Sequence, residues 1–371
     1  MTWDFVHETL PQRVRFATGR AAVATAEEVE RLGARRVMLV AGPAEAALAE
    51  RVASGVPVAH VHDEVVMHVP VAVAERARAA AADHEVDAVL AVGGGSTTGL
   101  AKAVALTSGL PVVAVPTTYA GSEATDVWGL TEAGRKTTGT DPRVLPRAVV
   151  YDASLTTSLP VGLSVASGLN AVAHCVDSLW GPRADPVDAA LAEEGLRALA
   201  TGLPEVVADP EGLAGREQAL YGAHLAAVAF ASAGSGLHHK VCHVLGGRHD
   251  LPHAETHAVV LPHVAGLNLP AAPGAAARVA RALGRGGAAE ALDGLFALGE
   301  RLGAPRALRD LGLAEDDLRG AAEAVAAVVP PGNPVDVTVD DLERMLRDAW
   351  AGTDPREAVH TAPPTTTGAT R

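Results

Sequence analysis

The nearly unbroken apolar run Asp87 to Val92 (DAVLAV) stops at Gly93-Gly94-Gly95-Ser96 and passes straight into TTGLAKAVAL. An apolar run bounded by glycine and followed by helix formers predicts a buried strand whose carboxyl end opens a helix, the unit of a parallel α/β sheet. Related runs repeat the pattern. Arg36 to Ala41 (RVMLVA) ends at Gly42-Pro43 ahead of a helical stretch around 44–54; Val56 to Val61 precedes the alanine-rich 71–84; Pro111 to Val115 and Ala148 to Tyr151 supply two more strand candidates. This alternation predicts βαβ units. With 48% apolar and only 3% aromatic residues, the chain carries the material of helices and parallel strands rather than of a sandwich.

Beyond Asp152 strand-like runs become rare. Ala/Leu-rich helical patterns continue to about Trp350, with breaks expected at Gly202-Leu203-Pro204, Pro270 to Pro273 and Pro330-Pro331. The expected organisation is an α/β domain over 1–155, an all-α domain over 156–353, and a disordered Thr/Pro-rich tail over 354–371. No internal repeat is present.

The glycine run lets a ligand approach the backbone closely, and the helix start behind it offers N–H groups and a positive dipole end to an anion. A pyrophosphate suits such a place, although the run is neither a Walker A loop nor G-x-G-x-x-G. A second loop, Pro116 to Glu123 (PTTYAGSE), follows the next strand. Both loops fall at carboxyl ends of strands, where open parallel sheets bind ligands, so together they predict a nucleotide cleft. Lys136 is a basic residue available to a phosphate.

Seven of the 15 histidines lie between Gly234 and His263. His239 and His243 are four apart and share a helix face, and Gly246, Gly247 and Pro252 predict a turn that brings His253 back on a second helix. On the helix after Pro160, Asn170 and His174 are again four apart. With an aspartate at 170 the set would suit zinc or iron; the amide of Asn170 is a weak ligand and removes the negative charge. Asp177 suits a capping or outer-shell role.

A net charge of -14 excludes nucleic acid and anionic membrane as main partners. Cys175 and Cys242 are too few for a disulfide framework, and the first ten residues lack the basic and apolar regions of a signal peptide, so reduced thiols and a cytoplasmic location are expected. No run approaches the ~18 apolar residues needed to cross a bilayer.

The motifs Gly93 to Ser96 with Ala101-Lys102, Pro116 to Thr118 with Gly121 to Glu123, and His239-x-x-x-His243-x-x-Gly246 ending in Pro252-His253 resemble the iron-containing alcohol dehydrogenase family, in its order and spacing, from about Phe5 to Trp350. The resemblance implies the dehydroquinate-synthase-like fold of that family, an α/β dinucleotide-binding domain followed by a helical one with the active site between them. Within the family the chain is most similar to the branch that reduces maleylacetate to 3-oxoadipate with NADH or NADPH and works without a metal. Carried over by motif, Asn170, His174, His239 and His253 stand at the metal positions and His243 at that of a catalytic histidine. Gly94, Gly95 and Ser96 would meet the pyrophosphate, and Thr117, Thr118 and Ser122 would line the nicotinamide side.

Two positions depart from the family pattern: Asn170 and Gly99 both stand where it has aspartate. Ala41-Gly42-Pro43 also lacks the acidic residue that would grip a ribose hydroxyl and repel a 2'-phosphate, leaving both NADH and NADPH admissible. His243 is the expected proton donor, with His239, His253 and Asn170 polarising the ketone and His174 hydrogen-bonding within the core. His238, Lys240 and Tyr119 are the candidates for the dicarboxylate substrate; Arg248 reads as a surface charge. A homodimer is implied. The competing readings are a metal-dependent alcohol or aldehyde dehydrogenase, a dehydroquinate-synthase-like lyase, and a nucleotide sensor without catalysis.

Overall fold

The computed structural model describes residues 4–132 and 135–356, and of Arg135 and Lys136 the backbone only. Strands β1 (Arg13–Phe16), β2 (Val37–Val40), β3 (Val58–His62), β4 (Ala88–Gly93) and β5 (Val112–Pro116) alternate with helices α1 (Ala21–Arg31), α2 (Ala46–Val52), α3 (Val71–Asp83) and α4 (Gly95–Ser108). An antiparallel ribbon of β6 (Val127–Glu132) and β7 (Arg135–Thr140) follows, then β8 (Ala148–Tyr151). Six strands form one parallel sheet in the order β1-β8-β5-β4-β2-β3.

The continuous apolar runs of β2, β4, β5 and β8 have the burial that such runs require, while β3, at the sheet edge, leaves Val58 and Val61 exposed. One face of the sheet (Leu39, Leu90, Val92, Val113) packs with residues of α1 and α2, and the other (Met38, Val40, Val89, Ala91) with residues of α3 and α4. Two elements lacked that signal. RVRF of β1 alternates charged and apolar residues at a sheet edge, and the β6–β7 ribbon is polar and half-exposed. From β2 the chain steps outward to β3 on one side, while β4, β5 and β8 build the other. The switch point therefore lies at the carboxyl ends of β2 and β4, where a ligand crevice opens. Gly93 pairs with Pro116, which sets the two candidate loops level.

Among the described residues every regular element after Tyr151 is helical: α5 (Val161–Ser178), α6 (Pro186–Ala208), α7 (Leu213–Ala233), α8 (Leu237–His249), α9 (His253–Asn268), α10 (Pro273–Ala282), α11 (Ala291–Leu302), α12 (Leu318–Ala326) and α13 (Val339–Ala351). No single described helix is long and apolar enough to cross a membrane.

Three expectations need correction. Gly202-Leu203-Pro204 lies inside α6 and does not break it, because Gly195 and Gly202 are contact points at which α6 meets α7 backbone to backbone. Gly246 and Gly247 likewise lie inside α8, and the chain reverses at Asp250 with φ of 52°. At the carboxyl end, Asp354 accepts the Arg356 backbone N–H, and the Arg356 guanidinium lies 4.2 Å from the Phe296 ring centroid, so these residues of the expected disordered tail have a fixed place. The rest of that tail, 357–371, lies outside the described residues.

A Cβ at Gly202 would fall 2.5 Å from the Gly215 carbonyl oxygen and 2.8 Å from the Ala219 nitrogen, both rigid backbone. Gly202→Ala is expected to destabilise the chain by about 1–3 kcal/mol. Gly247→Ala, with nothing within 4 Å of the added carbon, is expected to stabilise it by about 0.5–1 kcal/mol. Denaturant unfolding of both variants checks the contrast; equal effects would refute the backbone-contact account of α6 and α7.

Candidate active site

At the end of β4, Gly93 has φ of 154° and a Cβ there would meet Thr97 Oγ1 at 2.4 Å. This tight turn needs glycine. A Cβ at Gly94 would lie 3.1 Å from Thr118 Cγ2, and one at Gly95 3.3 Å from Ala120 Cβ, so the two loops press against each other over the turn. Helix α4 starts at Gly95 and no side chain caps it, which leaves its first N–H groups facing the crevice. Gly94, Gly95 and Ser96 are half-buried, as are Thr118 and Ser122, while Thr117 is buried. This cradle suits a pyrophosphate. The Lys136 side chain lies outside the described residues.

The histidines gather where α5, α8 and α9 meet. Asp177 of α5 is fully buried and touches the start of α8, where Gly236 allows the approach: a Cβ there would sit 2.3 Å from Asp177 Oδ1. The carboxylate accepts hydrogen bonds from Trp180 Nε1 (3.1 Å) and the His239 backbone nitrogen (3.3 Å), and pairs with His239 Nδ1 at 2.8 Å. The His174 and His239 ring centroids are 4.9 Å apart, and Phe230 of α7 packs on both at 4.7 and 4.2 Å. His243 and His253 are exposed, with ring centroids 6.4 Å apart, and His243 lies 6.3 Å from His239. The structure thus joins His174, His239, His243 and His253 in one site, its floor buried and its mouth open. Asn170 is buried one helical turn before His174, and its Oδ1 has no hydrogen-bond partner.

Two proposed substrate contacts are corrected. His238 is buried, with Nε2 2.8 Å from His257 Nδ1, so it is a partner of His257 rather than a donor offered to a carboxylate. Tyr119 is fully buried; its hydroxyl accepts from Arg216 Nη1 at 3.3 Å and its backbone N–H donates to Ser167. Lys240 is half-buried, and Arg248 is exposed with Nη1 3.4 Å from the Gly320 carbonyl. His257 was missed. Its ring lies 4.5 Å from His253 and 4.9 Å from His239, and its four-residue spacing from His253 is the same signal that marked His239 and His243.

Burial lowers His174 to about 4 and holds His238, His239 and His257 well below the ordinary imidazole value, with neighbouring imidazoles adding to the effect on all four. Burial raises Asp177, opposed by the neighbouring His238 and by the N–H groups of Trp180 and the His239 backbone. With Nδ1 engaged on Asp177, His239 turns Nε2 to the pocket, an atom that is buried and without a hydrogen-bond partner.

His174 Nδ1 and Asn170 Oδ1 are likewise buried and unsatisfied. In orientation such donors suit a metal ion, because Asp177 behind His239 is a common outer-shell arrangement. In charge they bind a dication more weakly than a set with a carboxylate, since three imidazoles and an amide offer it no anion. Three ligating atoms approach within 4.8 Å of one another at His238, Cys242 and His257, and at His7, Asp185 and Asp188; neither group includes Asn170, His174 or His239.

Residues 11–153 match the model of iron-containing alcohol dehydrogenases, and residues 164–350 that of the C-terminal part of the Fe-containing alcohol dehydrogenase family. The chain is 48% identical over 359 residues to maleylacetate reductase 2 of Cupriavidus pinatubonensis, covering 95% of this chain and 98% of the relative. Among solved structures, an iron-containing alcohol dehydrogenase of Corynebacterium glutamicum superposes with a TM-score of 0.93 at 56% identity, covering 96% of this chain and 99% of that one. A maleylacetate reductase of Agrobacterium tumefaciens gives 0.90 at 43%, covering 95% and 100%. A sulfoacetaldehyde reductase of Bifidobacterium kashiwanohense, solved with NAD+, gives 0.85 at 25%, covering 94% and 98%.

Buried neutral histidines make stability depend on pH. His174, His224 and His263 are each held near 4 by burial, against 6.5 for an exposed imidazole. Below 6.5 the unfolded chain binds protons that the folded chain refuses, so this contribution is complete above about 6.5 and is lost as the pH falls toward 4. The thermal midpoint is expected to drop steeply across that window; a flat profile would contradict the neutral, buried assignment.

Proposed function

Because this chain belongs to the iron-containing alcohol dehydrogenase family, we propose that it uses NADH or NADPH to reduce the conjugated carbon–carbon double bond of maleylacetate, giving 3-oxoadipate. The observation that carries the assignment is the neutral pocket floor, with Asn170 in place of an anion, joined to 42–48% identity with curated maleylacetate reductases. We also take the enzyme to be a cytoplasmic homodimer.

When bound, the nicotinamide supplies a hydride to the alkene carbon β to the ketone. The chain does the rest. Gly94, Gly95, Ser96 and the start of α4 hold the pyrophosphate, and Thr117, Thr118 and Ser122 line the nicotinamide side. Hydride addition moves the alkene electron pair into an enolate whose charge is shared between carbon and oxygen. An enolate is a weaker base than an alkoxide, so a hydrogen bond donated by the Asn170 amide nitrogen, Nδ2, suffices to hold its oxygen. His243, exposed at the mouth, delivers a proton from its ring to the carbon α to the ketone. The exposed His253 polarises the ketone, and half-buried Lys240, beside His239 on α8, serves one of the two carboxylates. Turnover needs no metal in this scheme.

One observation favours a metal-dependent alcohol dehydrogenase instead: the unsatisfied Asn170 Oδ1, His174 Nδ1 and His239 Nε2 would all be satisfied by a cation. Substrates separate the two. Purified protein should oxidise NADH or NADPH with maleylacetate and leave simple aldehydes nearly untouched; the reverse preference overturns the proposal. His243→Ala should lower kcat by about 10²–10⁴ with little change in KM for the nucleotide. Near-normal turnover of that variant removes His243 from the proton-donor role.

A further inference from the structure

Lys102 is a fully buried lysine that the chemistry above does not use. It lies on α4 seven residues after Gly95, so about 10 Å along the helix from the glycine turn, too far to touch a pyrophosphate held there. Its ammonium points sideways into the loop between β5 and β6. Nζ donates to the carbonyl oxygens of Ser122 (2.5 Å), Thr125 (2.8 Å) and Val127 (2.9 Å), and to Thr125 Oγ1 (3.1 Å). Three N–H groups thus serve four acceptors, all within the six residues from Ser122 to Val127, where the loop runs into β6.

The same loop is held from two other sides. The Tyr151 hydroxyl of β8 donates to the buried Glu123 carboxylate at 2.9 Å, and Gln12 Nε2 donates to the Glu123 carbonyl at 2.7 Å. Toward the helical half, Gly121 with φ of 78° closes on α7, where a Cβ would meet Ala227 at 2.7 Å and approach His174 Nδ1 to 3.7 Å. The loop that carries Thr117, Thr118 and Ser122 therefore spans from the glycine turn to the histidine floor. Lys102 is its tie to α4.

We propose that Lys102 is a positioning residue for the nicotinamide nucleotide: by pinning Ser122 to Val127 against the helix that the glycine turn opens, it sets the width of the crevice between the two loops. Burying an ammonium is costly, and desolvation drives its pKa down to about 7 against the pull of Glu123 and Asp126. Apolar packing would join the helix to the loop without that cost. What the ammonium adds is direction, because it converges three backbone carbonyls on one point. The proposal rests on reading the cleft as a nucleotide site.

The test is nucleotide binding by fluorescence titration to the full chain and to Lys102→Met, which keeps the length and removes the charge. NADH or NADPH is expected to bind the folded variant about tenfold or more weakly, while the KM for maleylacetate moves less than about twofold, a split that general loosening of the fold would not produce. A folded Lys102→Met with unchanged nucleotide affinity overturns the positioning role and leaves the function above standing. Wild type that binds neither nucleotide overturns both. If Lys102→Met does not fold, Thr125→Val removes one Lys102 acceptor together with the Oγ1 bonds to the Ser122 carbonyl and the Val127 N–H, all within the pinned segment; about a threefold loss of nucleotide affinity supports the proposal, and no loss overturns it.

Discussion

The site depends on one buried carboxylate. Asp177 sits at the positive end of α8, fixed by Trp180 and by the His239 backbone, and its remaining hydrogen bond orients the His239 imidazole. Without it, α8 would begin against a void, and His239 would lose both its orientation and its tautomer. The glycine at 236 exists for this contact, since any side chain there would collide with the carboxylate. The negative charge is spent on structure, behind the pocket rather than inside it.

What faces the ligand is then neutral: Asn170, His174 and His239 are buried, and burial holds the two imidazoles uncharged at neutral pH. Such a floor is poorly matched to an alkoxide and better matched to a delocalised enolate, whose weaker base needs less stabilisation. In the proposed reaction protonation falls to the exposed His243, where exchange with solvent is possible. The division between a dry floor and a wet rim follows from α8 itself, because His239 and His243 are one turn apart, the first buried against Phe230 and the second exposed.

Much of this was legible in the residues, and each failure has its own physical cause. The central parallel strands β2, β4, β5 and β8 announced themselves because each is buried on both faces, and Gly93 to Ser96 marked the crevice at the end of one of them. The β1 edge strand and the β6–β7 ribbon carry no such apolar signal. Gly202 and Pro204 were misjudged because helix packing overrode local propensity: α7 presses so closely on α6 that glycine is needed in mid-helix. In the site, helical spacing found His239, His243 and His174, but spacing cannot tell which way a ring turns. His238, adjacent to His239, turns inward to His257, and Tyr119 is claimed by Arg216.

The pocket's missing anion can be put to a direct measurement: the metal content of purified protein of known specific activity toward maleylacetate, before and after dialysis against a chelator. Iron and zinc well below one equivalent, with the rate unchanged by the chelator, is the result expected of a neutral floor that works by hydrogen bonding. A stoichiometric metal whose removal abolishes the rate, and whose return restores it, would contradict it.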